Sequence, residues 1–266
     1  MPDPTQVSLS PALQAAPARV VRLPIAPDAP PVSDDETAAL AEDLEGVVDA
    51  RSRTLRRVAD VLVAASALAV LAPVMGIVAV AIKLDSPGPV FYTQDRIGIN
   101  RRRSERRRGA RGADARRRVI HAGRPFKIWK FRTMRTDAEA AGPQWAKNGD
   151  PRITRLGRLL RKTRLDEVPQ FLNVVHGDMT LIGPRPERAF FINILENEVP
   201  HYRKRLLVKP GITGMAQVHS GYDDSIDSVR TKVRWDLRYI RSQGARADLA
   251  ILVRTVRTIL TGDGAC

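Results

Sequence analysis

Asp166 and Glu167 stand side by side in Leu165-Asp166-Glu167-Val168-Pro169-Gln170-Phe171-Leu172-Asn173, and Arg185 follows in Gly183-Pro184-Arg185-Pro186-Glu187. The acids fall just before or at the start of an apolar-periodic stretch, and Pro169 fits that place because a helix tolerates proline in its first turn. A helix N-terminus favours an ionised carboxylate and is also an anion site. Two flanking prolines restrict the backbone of Arg185, so its guanidinium is presented with little entropy to lose, and arginine suits bidentate phosphate contacts. Arg161 lies five residues before the pair. Lys130 and Arg132, two apart in Lys130-Phe131-Arg132-Thr133-Met134, share one face of a strand. Acids beside several cations suit chemistry on a phosphate group. A carboxylate facing a diphosphate is repelled unless cations offset the repulsion. Two acids and a phosphorylated substrate also suit Mg²⁺, and an aspartate can act as a covalent nucleophile on phosphorus. Taken singly, the pair reads equally as a capping aspartate beside a surface glutamate, and each cation as a solvated charge. Their recurrence around one acidic pair is what points to chemistry.

The elements that must position these groups begin with a membrane-type segment. An uncharged run extends from Val61 to Ile82 and ends at Lys83. At about 1.5 Å per residue it just crosses a bilayer core of about 30 Å. Soluble helices rarely stay apolar all round, so a buried soluble helix is the lesser reading. Pro73 in mid-run is expected to break or kink the helix. Arg51, Arg53, Arg56 and Arg57 precede the run, and Lys83, Arg96 and Arg101 to Arg103 follow it. Basic flanks mark the cytosolic side, and both ends carry that mark. A segment that enters, turns at Pro73 and leaves on the same face is therefore favoured over a spanning one. The backbone groups freed at the bend need partners.

Residues 1 to about 50, rich in proline, alanine and acids, are expected to form a disordered tail with at most a short helix near Thr37 to Val48. After the turn signal Ser86-Pro87-Gly88-Pro89, Val90-Phe91-Tyr92 reads as a short strand. Between Arg101 and Arg124, eleven arginines face only Glu105 and Asp114. This insert is expected to be a surface loop, either merely solvated or clamping anionic lipid at on the order of 1 kcal/mol per residue. It has no interleaved aromatics to stack on bases, which disfavours nucleic acid as a partner. Phe126 to Phe131 alternates as a strand does. Ile153, Leu156, Leu159 and Leu160 have helical spacing, as do Leu165, Val168, Phe171, Leu172 and Val175. Two amphipathic helices are predicted near Ser228 to Ser242 and Asp248 to Leu260, the second packing on the core or lying in a membrane interface.

With 266 residues the chain holds one good-sized domain plus tails, and its net charge of +15 favours polyanionic partners: nucleic acid, acidic headgroups or phosphorylated substrates. Cys266 is the lone cysteine, which excludes an internal disulfide and a cysteine metal site and fits a reducing compartment. No basic start followed by an apolar run opens the chain, so no secretory signal is expected. His121, His176, His201 and His219 show no metal-ligand spacing.

Several motifs, in order, resemble the bacterial sugar transferases, the monotopic phosphoglycosyl transferases that act on polyprenyl phosphate. They are Lys130-Phe131-Arg132-Thr133-Met134-Arg135-Thr136-Asp137-Ala138-Glu139; Asp150-Pro151-Arg152-Ile153-Thr154-Arg155-Leu156-Gly157; Arg161 through Asp166-Glu167; Gly177-Asp178-Met179-Thr180-Leu181-Ile182-Gly183-Pro184-Arg185-Pro186-Glu187; and Lys209-Pro210-Gly211-Ile212-Thr213-Gly214-Met215-Ala216-Gln217-Val218. The resemblance implies an α/β, mostly helical, compact catalytic domain (86–266, with the arginine-rich insert 101–124) behind a re-entrant membrane helix (51–85) and the tail 1–50. It implies a monotopic protein of the inner, cytoplasmic membrane whose domain faces the cytoplasm. The family's helix break is a Ser-Pro pair; here it is Ala72-Pro73. By the same resemblance Asp166 is the nucleophile that attacks the β-phosphorus of a UDP-sugar, expels UMP and passes the phosphosugar to polyprenyl (undecaprenyl) phosphate. This is the first membrane step of exopolysaccharide or other glycan assembly. Glu167 resembles the family's Mg²⁺-binding acid, Arg161 and Arg185 its phosphate-binding shell, and Lys130 and Arg132 its basic motif. The family's long members also carry a spanning N-terminal bundle; none is expected here, so the chain resembles the short catalytic form. Two alternatives remain at this point: a single displacement with Asp166 as general base, and a non-catalytic basic membrane scaffold.

Overall fold

The uncharged run does form one long helix, and the elements around it are short. The computed structural model describes residues 34–42, 44, 54–99, 123–140, 142, 144, 149–220 and 226–261. Its elements in order are α1 (Asp34–Ala41), α2 (Thr54–Asp85), β1 (Phe91–Ile97), β2 (Pro125–Phe131), α3 (Arg155–Lys162), α4 (Gln170–His176), β3 (Thr180–Ile182), α5 (Ala189–Glu198), β4 (Gly211–Thr213), α6 (Met215–His219), α7 (Ile226–Ser242) and α8 (Ala245–Thr261). Single 3₁₀ segments cover Leu165–Glu167 and Tyr202–Leu207. The fold is mostly helical with two small sheets. In one, β1 and β2 run antiparallel, with Tyr92 opposite Lys130 and Ile97 opposite Pro125. In the other, β3 and β4 run parallel. Most of the insert 101–124 and residues 1–33 of the expected tail lie outside the described residues. The insert joins β1 to β2, and its two ends meet where Gly98 N–H donates to Arg124 O at 2.9 Å.

One expectation is corrected here. Helix α2 is not broken at Pro73: the helix runs through it from Thr54 to Asp85. A proline removes one N–H bond and crowds the preceding turn. Here the flanking turns have contacts to hold them, for Leu71, Val74, Met75 and Val78 line a crevice with Phe131, Leu165 and Val168. The short helix expected near the end of the tail is present as α1, Asp34–Ala41. Ala41 and Leu44 are buried in one core cluster with Ile192, Leu195, Val233, Leu237 and Ile240, and Glu36 pairs with Arg238 of α7 at 2.5 Å. A few apolar residues with a ready groove suffice to dock this helix. Helix α8 takes the core-packed placement, one of the two expected for it. It packs through Ile251, buried with Ile182 and Tyr239, and through Thr255, which bonds Thr213 at 2.7 Å. The stripe Leu249, Leu252, Val253 and Val256 faces outward.

Helix α2 is held at both ends by one and the same domain. At its start Arg56 donates to Ile182 O at 3.0 Å, Asp60 accepts from Thr180 Oγ1 at 2.5 Å, and Ala64 is buried with Phe126, Ile128, Val174 and Met179. Near its end Val78 and Ile82 are buried with Phe131 and Leu160. Between them Val70 and Ile77 are exposed. Among the described residues α2 is the one helix long and apolar enough to cross a membrane.

Candidate active site

The acid pair is positioned by the way α3 ends. Thr154 caps α3 by accepting from Gly157 N–H at 2.9 Å. Gly157 lets the helix sit against the end of β2, since a Cβ there would fall 2.1 Å from Thr133 O. After Thr163, Arg164 adopts a left-handed conformation with φ 59°, uncommon for a residue with a side chain. The chain reverses there and enters the 3₁₀ turn Leu165–Glu167, directly before α4. Leu165 packs into the cluster of Phe131 and Leu160, and Val168 is buried. Apolar residues on both flanks thus fix the turn that carries Asp166 and Glu167. Asn173 ties α4 to β2: its Oδ1 accepts from Trp129 N–H at 3.0 Å and its Nδ2 donates to Lys127 O at 2.7 Å.

The two acids have opposite surroundings. Glu167 Oε1 accepts from Lys130 Nζ at 2.8 Å and from Arg185 Nη2 at 2.8 Å. Asp166 is 7% exposed and makes no hydrogen bond among the described residues. Burial, then the neighbouring Glu167 charge, pushes Asp166 up to about 6, while Lys130, Arg161 and Arg185 pull the other way. Burial alone would raise Glu167 as well, but Arg185 and Lys130 hold it well below the usual carboxylate range. Burial lowers Lys130, and Glu167 opposes that. The arrangement separates two adjacent carboxyls into one firmly ionised anchor and one acid that titrates near neutrality, the pattern that divides roles in acid–base and nucleophilic sites.

Four of the five cation and acid partners expected around Asp166 are brought together: Glu167, Lys130, Arg185 and Arg161. Arg161 donates from Nε to Thr133 Oγ1 at 3.0 Å, and its terminal nitrogens have no hydrogen-bond partner among the described residues. Arg132 is not brought to the pair. The strand ends at Phe131, so strand parity no longer governs the next side chain. Arg132 is buried and donates to Ser86 O at 2.7 Å, to Ser86 Oγ at 3.1 Å and to Pro87 O, capping the end of α2. Pro73 lies on an exposed turn of α2.

Two positioning groups escaped the sequence reading, Thr133 and Asn173. A hydroxyl right after the basic motif and an amide within an apolar helix were the only signals. A second polar cluster lies beyond them. Glu139 accepts from Gln94 Nε2 and Arg188 Nη1, each at 2.9 Å, and from Tyr92 OH at 3.1 Å. For a metal, no group of three or more histidine, cysteine, aspartate or glutamate side chains converges among the described residues. Glu167 Oε2 has no hydrogen bond among them. That offers one carboxylate oxygen, which fits a Mg²⁺ completed by phosphate oxygens and water.

The site thus consists of an acid pair ringed by cations on a small domain against which one long apolar helix is docked. The chain belongs to the bacterial sugar transferase family, whose sequence profile matches residues 51–106 and 114–262 and skips the middle of the arginine-rich segment. It is 42% identical over 211 residues to a UDP-N-acetylgalactosamine-undecaprenyl-phosphate N-acetylgalactosaminephosphotransferase of Aeromonas hydrophila, covering 79% of this chain and 45% of that protein. It is 37% identical over 212 residues to a UDP-glucose:undecaprenyl-phosphate glucose-1-phosphate transferase of Caulobacter vibrioides, covering 79% of this chain and 71% of that one. An exopolysaccharide production protein of Rhizobium leguminosarum is 38% identical over 214 residues, 78% of this chain and 96% of that protein. This chain thus spans less than half of the Aeromonas relative and most of the other two.

Proposed function

We propose that this protein transfers a sugar 1-phosphate from a UDP-sugar to a polyprenyl phosphate, undecaprenyl phosphate by analogy with its relatives, and releases UMP. The observation that carries the reading is the asymmetry of the acid pair: Glu167 is doubly paired, while its neighbour Asp166 is buried without a hydrogen bond among the described residues. In the first step an Asp166 carboxylate oxygen bonds to the β-phosphorus, the bond to the UMP oxygen breaks, and UMP leaves. In the second, a polyprenyl-phosphate oxygen bonds to that phosphorus and the bond to Asp166 breaks. Arg161 and Arg185 neutralise the diphosphate as charge moves onto the leaving oxygen. Glu167 would hold Mg²⁺ through Oε2, and the ion would supply further neutralisation of phosphate charge.

A one-sided membrane seat supports this reading. Helix α2 runs unbroken along the domain that carries Asp166, with Leu71, Val74 and Met75 packed against it beside Pro73, while Val70, Ile77 and Val80 are exposed, so the helix can lie in lipid by its outer face. The outward stripe of α8 adds apolar surface, and α8 starts beside α2, where Arg56 pairs with Asp248 at 3.4 Å. Exposed apolar area of this extent fits a lipid surface. The basic flanks support a seat on the cytoplasmic side of the inner membrane, where UDP-sugars are made. The name of the Rhizobium relative supports a role in exopolysaccharide assembly.

The test is incubation with radiolabelled UDP-sugars in the absence of lipid acceptor. Wild-type protein is expected to take up label with UMP release, and Asp166→Asn to take up none. Equal labelling of the two proteins removes the covalent step. Initial-rate patterns of a ternary complex favour a single displacement with Asp166 as base.

A further inference from the structure

The loop that delivers Arg185 has an unusual supply of donors. Pro184 and Pro186 lack N–H groups, so the chain cannot continue as a regular ladder strand past Gly183, whose N–H still donates to Thr213 O at 2.9 Å. Yet four successive carbonyls of this loop are each held. Pro184 O accepts from Gly211 N–H at 3.0 Å, and Glu187 O from Ile97 N–H at 2.9 Å. The two central ones are held by arginines: Arg185 O accepts from Arg205 Nη2 at 3.3 Å and Pro186 O from Arg96 Nη1 at 3.1 Å. Arg205 and Asp236 lie inside the protein, 9% and 1% exposed. Arg205 Nε donates to Asp236 Oδ2 at 2.6 Å and its Nη1 to Tyr202 OH at 2.8 Å. A buried ion pair adds little net stability over a well-packed apolar pair. A guanidinium, however, can bond a carboxylate, a hydroxyl and a loop carbonyl at once, which no apolar side chain can.

Building on the proposed transferase activity, we infer that the buried Arg205–Asp236 pair is a positioning device for that reaction: it fixes the backbone of Arg185 so that its side chain meets Glu167 and the substrate phosphate. Neither residue touches the acids. Asp236 on α7 orients Arg205, Arg205 holds the Arg185 carbonyl, and Arg185 holds Glu167 at 2.8 Å. Helix α7 thereby acts on the site through a fixed chain of hydrogen bonds.

The experiment is a double-mutant cycle read as UMP release by full-length protein in phospholipid vesicles with a UDP-sugar and polyprenyl phosphate. Arg205→Lys keeps the charge beside Asp236 and loses the forked reach. In the wild-type background it is expected to lower kcat/KM by about 10–100-fold, the scale of a small displacement of a catalytic group. In an Arg185→Lys background, where the guanidinium that bonds Glu167 is already lost, it is expected to cost less than about 2-fold, since residues acting through one another are non-additive. Equal factors in both backgrounds, or no loss in the first, overturn the inference, because a merely structural role moves both backgrounds alike. If Arg205→Lys shows no cooperative melting, Tyr202→Phe, which removes one acceptor of Arg205, carries the test with a loss of about 3-fold that vanishes in the same background. Failure of wild-type protein to release UMP from any UDP-sugar sinks the transferase reading and this inference together. Additive losses in an active protein sink only the positioning role.

Discussion

Around Glu167, cations face carboxylates; along the seam between α2 and the domain, cations face carbonyls. Lys130 and Arg185 share one oxygen of Glu167. Arg57, by contrast, donates to Val174 O and, at 2.7 Å, to Val175 O at the end of α4, and Arg132 closes the end of α2. Helix C-termini leave carbonyls without intrahelical partners and carry partial negative charge, so a basic side chain there acts as a cap. The two regions teach that an arginine's chemistry is decided by its acceptors. One locked onto carbonyls stabilises a junction, whereas one like Arg161, with terminal nitrogens open among the described residues, is available to a ligand. Arg132 and Arg185 read alike as candidates in the sequence, yet one closes a helix end through carbonyls and the other bonds Glu167.

The comparison breaks most visibly at Asp166. Asp166→Asn is expected to lower turnover by at least about 10³-fold, the scale of removing a nucleophile. Thermal unfolding in detergent should show a melting temperature unchanged or higher, because a buried unpaired carboxylate is removed. A large fall in melting temperature would recast Asp166 as structural. Arg185→Ala comes next, with about 10²-fold lost in kcat/KM, the scale of one preorganised charge-stabilising donor.

The pH profile is the third effect. Asp166 is pushed up to about 6, first by burial, and in the proposed mechanism it must be ionised to attack. Activity therefore rises with pH through that value, by about tenfold between pH 5 and 7 for a single titration. The sign for stability is opposite: a carboxyl raised above its unfolded value binds its proton more tightly in the fold, so its contribution declines as pH rises through about 6. A flat rate profile over this range would show that Asp166 is not the group that must ionise.

The smallest effect on activity is expected in the seam. Arg132→Met should leave kcat/KM per folded molecule within about 3-fold while costing about 1–3 kcal/mol of stability through unsatisfied buried carbonyls. That corresponds to a melting temperature lower by roughly 3–10 °C. A loss of activity as deep as that of Arg185→Ala would move Arg132 back to the site.

Much of the site was legible because its signals are local. The acids, Pro169 and the helical spacing after them placed Asp166 and Glu167 at the entry to α4, and both strands of the hairpin were foreseen, β1 shorter than found. What local signals lack is long-range pairing. That Arg132 turns to carbonyls of residues 86 and 87, that Leu44 enters a core with Leu237, and that α8 packs through Ile251 all depend on partners far away in the chain.

The sequence by itself determined which groups could do chemistry, where the apolar helix lies and which turn carries the acids, because charge, hydropathy period and proline constraints act within a few residues. Tertiary structure alone decided which acid is anchored and which stands without a bond, since that depends on Lys130 and Arg185 meeting Glu167 across 37 and 18 residues of chain. It also decided that both ends of α2 rest on one domain. Burial and ion pairing are properties of packed surfaces, and no single segment of chain encodes them alone.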